Sequence, residues 1–144
     1  MPMSHSWWIW ALLSALFAAI TSILVKAGLR EVNADFATLI RTAVILFALG
    51  TFVAVQGNWS NPFHLDVKPL LFLTASGLAT CASWVCYSRA LKVGDASKVD
   101  PIDKLSVVLV ALLAFAFLGE RPQGREWLGI VMIGMGAVIL AMRK

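Results

Sequence analysis

Five runs of apolar residues divide this chain: Trp7 to Ala27, Phe36 to Val55, Leu70 to Leu91, Pro101 to Leu118 and Trp127 to Met142. Each is near the roughly 20 residues a helix needs to cross the hydrocarbon core of a bilayer. The breaks between them carry helix-ending chemistry: Gly28, then Gln56-Gly57 and Asn61-Pro62, then Gly94, then Gly119 with Pro122. Short connections predict antiparallel neighbours. An interfacial helix is the alternative for the short last run, but Val131 to Met142 has no polar face, so five spans are expected.

Composition points the same way. Hydrophobic residues make up 60% of the 144 and charged residues 14%, against about 45–50% and about 25% in a soluble domain. The fold class is therefore an all-α integral membrane protein with one domain over residues 1–144, and little chain is left for anything outside the lipid. MPMSHSWWIW has no Lys or Arg ahead of the first apolar run, which argues against a removable signal peptide. Cys81 and Cys86, five apart in one span, read as buried thiols rather than a redox pair.

Charge orients the spans. Lys26, Arg30, Arg41, Arg89, Lys92, Lys98, Lys104, Arg143 and Lys144 fall toward one side, and Lys68, Arg121 and Arg125 toward the other. Nine against three marks the first side as cytoplasmic, with the N-terminus outside and the C-terminus inside. Trp7, Trp8, Trp10, Trp59 and Trp127 then collect at the outer interface, where an amphipathic ring is comfortable.

Charged residues inside the spans are the candidates for function. Asp100, Pro101 and Asp103 read as the N-terminus of the fourth helix, with an acceptor side chain, a proline at the first position and an acid in the first turn. Lys104 follows Asp100 by four residues, a favourable helical pair, and can snorkel to the interface; a binding role for Asp103 and Lys104 is the competing reading. Arg41, with Thr38 and Thr42 nearby, is either an inner-interface anchor or a guanidinium facing a wet vestibule, paired with Asp103 or an anionic solute. Lys26 reads as a snorkelling anchor. Ser76, Thr80, Trp84 and Tyr87 share one face of the third span, which either lines a pathway or packs against a neighbour.

Small residues also recur at helical spacing. Ala11, Ala15 and Ala19, then Ser14, Ala18 and Ser22, then Gly134, Ala137 and Ala141 permit close helix contact. Enzyme chemistry finds no foothold: His5 and His64 lie outside the spans, no metal-ligand spacing occurs, and Ser76 has no base placed by a motif. Neither a catalytic residue, a cofactor, a metal nor a nucleic-acid partner is expected.

CYSRALKVGDASKVDPIDKLSVVLVALLAFAFLGERPQGREWLGIVMIGMGAVILAMRK, from Cys86 to Lys144, resembles one EamA repeat of the drug/metabolite transporter superfamily, and NADFATLIRTAVILF fits the same repeat. Pro101, Gly119 and Glu120 match its structural signatures, whereas Asp100 departs from the small apolar residue expected there. Typical members carry two five-helix repeats in inverted orientation with the pathway between them. The resemblance therefore implies a half-length secondary transporter moving a small metabolite across the bacterial inner membrane. It further implies a homodimer, or pairing with an oppositely oriented paralogue, and the small residues Gly134, Ala137 and Ala141 are the ones expected at the contact because they permit close approach. A non-transporting accessory subunit is the alternative. The related small multidrug exporters use a glutamate in the first helix, and Trp7 to Ala27 contains no acid, so drug-cation antiport is disfavoured.

Overall fold

The computed structural model describes residues 7–59 and 66–142. Asn61-Pro62, His5, His64, Arg143 and Lys144, which entered the reading above, lie outside the described residues. Within them the chain forms α1 (Trp7–Gly28), α2 (Ala34–Val55), α3 (Val67–Val93), α4 (Ala96–Asp103), α5 (Ser106–Leu113), a π-helical turn (Ala114–Leu118) and α6 (Gly124–Met142). Five helical stretches are long and apolar enough to span a membrane, the fourth being Ala96–Leu118. Most large apolar side chains, Phe47, Phe72 and Phe117 among them, are exposed. That suits a bilayer, whose acyl chains are as apolar as leucine and leave helix association to close packing and polar contacts. The fold is an all-α membrane architecture of five spans, as the hydrophobic pattern predicts.

The chain divides into two compact units, Val25–Lys92 and the pair of segments Met1–Leu24 and Val93–Lys144. In the first unit Asn33 opens α2: its backbone is extended and its side-chain oxygen accepts the N–H groups of Asp35 at 2.9 Å and Phe36 at 3.4 Å. Asp35 in turn receives Arg89 of α3 in a two-pronged pair, Nε to Oδ1 and Nη2 to Oδ2, both at 2.8 Å. Lys92 Nζ donates to the carbonyls of Leu29, Arg30 and Val32. Lys26 Nζ donates to the Leu91 carbonyl at 2.6 Å. The lysine expected to snorkel is thus held within the unit. Each ammonium satisfies carbonyls that a helix end leaves open. Beneath them Val25, Leu29 and Leu91 are buried beside the buried hydroxyls of Thr38 and Ser88, which lie 2.8 Å apart.

In the second unit the fourth span corrects one expectation. Asp100 and Pro101 do not open the helix. Asp95 does: its backbone is extended, and its carbonyl accepts the N–H groups of Lys98 and Val99, both at 2.9 Å. Pro101 lies inside α4. It offers no N–H to the Ser97 carbonyl, and its ring crowds that oxygen. The helix accordingly ends at Asp103, and tighter bonds from Leu105 N to Ile102 O, Val107 N to Lys104 O and Val108 N to Leu105 O, each 3.0 Å, carry the chain into α5. A proline with an acid before it fits a first turn or a break equally well in sequence; Asp95, directly after Gly94, starts the helix before the proline is reached.

The span closes as its L-G-E signature predicts. Gly119 adopts a left-handed conformation (φ 70°), and the N–H groups of Gly119 and Glu120 both turn back to the Ala114 carbonyl. Phe115 then meets Trp127 edge to face, with ring centroids 6.5 Å apart. α6 packs on α4 and α5. Gly134 makes this approach close, since a Cβ there would lie 3.1 Å from Val108 Cγ2. Ala137 is buried by its own chain and Ala141 is exposed, so of the three small residues expected at a contact between copies, one is already covered.

Candidate functional site

Each unit holds a polar place within its spans that is open to a candidate role. In Val25–Lys92 it is built on Arg41, which α2 carries about 10 Å beyond Ala34 by helical rise. The Arg41 guanidinium carbon lies 5.6 Å from the centre of the Trp84 ring on α3, within cation–π range. Arg41 Nη1 is buried without a hydrogen-bond partner, the one such side-chain atom among the described residues. Its neighbouring hydroxyls are engaged elsewhere: Thr42 Oγ1 donates to the Thr38 carbonyl at 2.8 Å, and Thr38 Oγ1 lies 2.8 Å from the Ala34 carbonyl and from Ser88 Oγ. Of the face predicted on α3, Trp84 and Tyr87 are half-buried while Ser76 and Thr80 are exposed, with Thr80 Oγ1 donating to the Ser76 carbonyl at 2.9 Å. α2 and α3 thus bring Arg41 and Trp84 together. Asp103 belongs to the other unit, where it receives Lys104 Nζ at 3.4 Å.

The second place is an open groove of about 400 Å³ in the other unit, between α1 and the fourth span. Ser14, Ala18, Ser22, Asp100 and Lys104 are among its walls. Ser22 is buried, and its Oγ lies 2.9 Å from Asp100 Oδ1 and 3.0 Å from the Ala18 carbonyl oxygen. Asp100, expected as a cap, is instead a groove residue. No group of three or more His, Cys, Asp or Glu able to hold a metal occurs among the described residues, and both cysteines are exposed free thiols, not buried ones.

Sequence reasoning passed over the Ser22–Asp100, Thr38–Ser88 and Asp35–Arg89 pairings. Ser22 was visible only as one of several small residues. The signal that could have singled it out is a hydroxyl near the end of a span whose partner span carries an acid, which needs the pairing of helices and not their spacing.

The EamA-like transporter family pattern covers residues 5–142. The chain belongs to this family. A Sinorhizobium sp. protein named "Uncharacterized transporter in cobO 3'region" is 52% identical over 97% of this chain and 99% of its own length. Two longer relatives match as well: "Uncharacterized transporter YxxF" of Bacillus subtilis, 26% identical over 94% of this chain and 42% of its own, and the "Riboflavin transporter" of Vibrio cholerae, 27% identical over 88% and 41%. The chain thus spans about two fifths of each of these two. No solved structure matches it. As an EamA protein it is a multi-pass membrane transporter.

Proposed function

We propose that this EamA protein is a secondary transporter that moves a small metabolite across the bacterial inner membrane, with its N-terminus outside, and that it works as a pair of five-span chains. The observation that carries the reading is the buried Arg41 Nη1 with no partner. Within a membrane such a donor costs several kcal/mol if nothing meets it, and an anionic group of a solute meets it well. The Trp84 ring beneath holds the guanidinium in place.

Pairing is supported by length, because relatives of which this chain covers 42% and 41% have room for a second unit of the same size. It is also supported by an apolar groove of about 680 Å³ between α5 and α6, lined by Leu105, Val108, Val131, Gly134, Met135 and Val138. A helix of a second copy, or of an oppositely oriented paralogue, fits such a groove.

The test is metabolite profiling of bacterial cells and their medium with the wild-type chain expressed, against Arg41→Gln and an empty vector. Riboflavin is the first solute to follow, given the Vibrio relative's name. At least one small metabolite should redistribute across the membrane with the wild type and not with Arg41→Gln. No redistribution, with the wild type present in the membrane, contradicts transport and favours an accessory subunit.

A further inference from the structure

The cation at Arg41 has a ring beside it but no anion. Its Nη1 is buried and has no hydrogen-bond partner among the described residues. Trp84, whose ring centre lies 5.6 Å from the guanidinium carbon, attracts the charge through its π face. An indole, however, has an N–H to donate and no acceptor to offer. The two helices that build the site supply no free carboxylate either: α2 and α3 carry one acid between them, Asp35, and Arg89 holds both of its oxygens at 2.8 Å. A charged donor buried without an acceptor bears the whole penalty of its lost water.

The same two helices decide which anion suits the site. Arg41 is the one cation of α2. On α3, Arg89 is spent on Asp35 and Lys92 on the carbonyls of Leu29, Arg30 and Val32. Lys68, the remaining cation of α3, lies about 24 Å from Trp84 by helical rise. The site therefore brings one positive charge. It balances one negative charge, whereas a doubly charged phosphate or sulfate keeps a net charge at membrane depth, where charge is costly. Donors are equally few. Thr42 Oγ1 donates to the Thr38 carbonyl at 2.8 Å, and Thr38 Oγ1 lies 2.8 Å from both the Ala34 carbonyl and Ser88 Oγ. What is left is the planar fork of a guanidinium, which matches the two oxygens of a carboxylate. A tetrahedral anion would keep its other oxygens bare. The ammonium of a zwitterion would find no acid on either helix, since Asp35 is taken.

We propose that Arg41 binds the carboxylate of a singly charged organic acid, and that Trp84 positions the guanidinium for it. No covalent bond forms or breaks. That the bound acid is then carried across the membrane rests on the transport reading; that it binds does not.

Saturation-transfer NMR on the full chain in lipid nanodiscs, with acetate as the probe, reads binding of the smallest such acid that carries a methyl group. Wild-type chain should transfer saturation to the acetate methyl, and formate should displace acetate where sulfate and riboflavin, which has no carboxylate, do not. Arg41→Gln should weaken acetate about tenfold or more, the worth of a lost bond to a charged group. Arg41→Lys keeps the charge and loses the fork, so acetate should lose its advantage over sulfate. Trp84→Phe keeps a ring and most of the affinity, and Trp84→Leu should not. The competition series on the wild type needs no variant, and melting curves check that each variant folds. No acetate binding, displacement by sulfate or riboflavin as readily as by formate, or unchanged binding in folded Arg41→Gln overturns the carboxylate site. Equal binding by Trp84→Leu overturns the role given to the ring. Release of metabolites from proteoliposomes keeps the two readings apart: release without acetate binding refutes the carboxylate site alone, and acetate binding without release of any metabolite refutes transport alone.

Discussion

Arg41 and Asp100 are both charged residues within spans, yet the two are held differently. The guanidinium rests on a ring and keeps one nitrogen buried without a partner, whereas the carboxylate meets a buried hydroxyl that already has a carbonyl within reach. Gly134 shows how tightly the frame around the second site is set. Its replacement by Ala places a Cβ 3.1 Å from Val108 Cγ2, and the branched valine has few rotamers with which to yield. Gly134→Val should be worse, by about 1–3 kcal/mol of overpacking. Thermal unfolding in detergent, followed by tryptophan fluorescence, should show lower midpoints for both variants, with Val108→Ala restoring most of the loss in Gly134→Val. No recovery in the double variant would mean that the strain lies elsewhere. At this scale the sequence marked the residues better than their roles. Arg41 stood out because charge in an apolar run is costly, and Trp84 because it shares a face with hydroxyls; that the two meet depends on how α2 and α3 pack. Asp100 was misread because an acid before a proline has the same local pattern at a helix start and at a break.

Among the elements, the five spans were legible because apolar length alone specifies them in lipid. Their ends were less so: α2 begins at Ala34 and α3 at Val67, and at α2 the Asn33 side chain sets the start through hydrogen bonds that hydropathy does not register. The π-helical turn at Ala114–Leu118 was not legible at all. It arises from a slip of the backbone ladder, and AFAFL is an ordinary helical sequence. Gly119 ends that turn with φ 70°, a conformation that costs other residues about 1–2 kcal/mol. There is open space around it, so Gly119→Ala acts through the backbone alone. The expected outcome is a lower melting midpoint without loss of membrane insertion. An unchanged midpoint would show that the turn relaxes to another conformation at no cost.

For the whole molecule, the basic residues and tryptophans predict one orientation, N-terminus outside and C-terminus in the cytoplasm. A C-terminal alkaline phosphatase fusion should be silent and a C-terminal fluorescent protein bright. Phosphatase activity in most molecules would reverse the assignment, and equal signals would show dual topology. Orientation bears on pairing. A strongly biased chain can form a parallel homodimer but needs an oppositely inserted partner to rebuild an inverted repeat. Whether this chain by itself moves a solute is read most directly on the purified protein. Proteoliposomes containing this chain alone, loaded with a bacterial small-molecule extract and sampled by mass spectrometry, should release at least one metabolite that vesicles with Arg41→Gln retain. If folded wild-type chain in sealed vesicles releases nothing beyond what protein-free vesicles do, the account of a transporter that is complete in copies of this chain is contradicted.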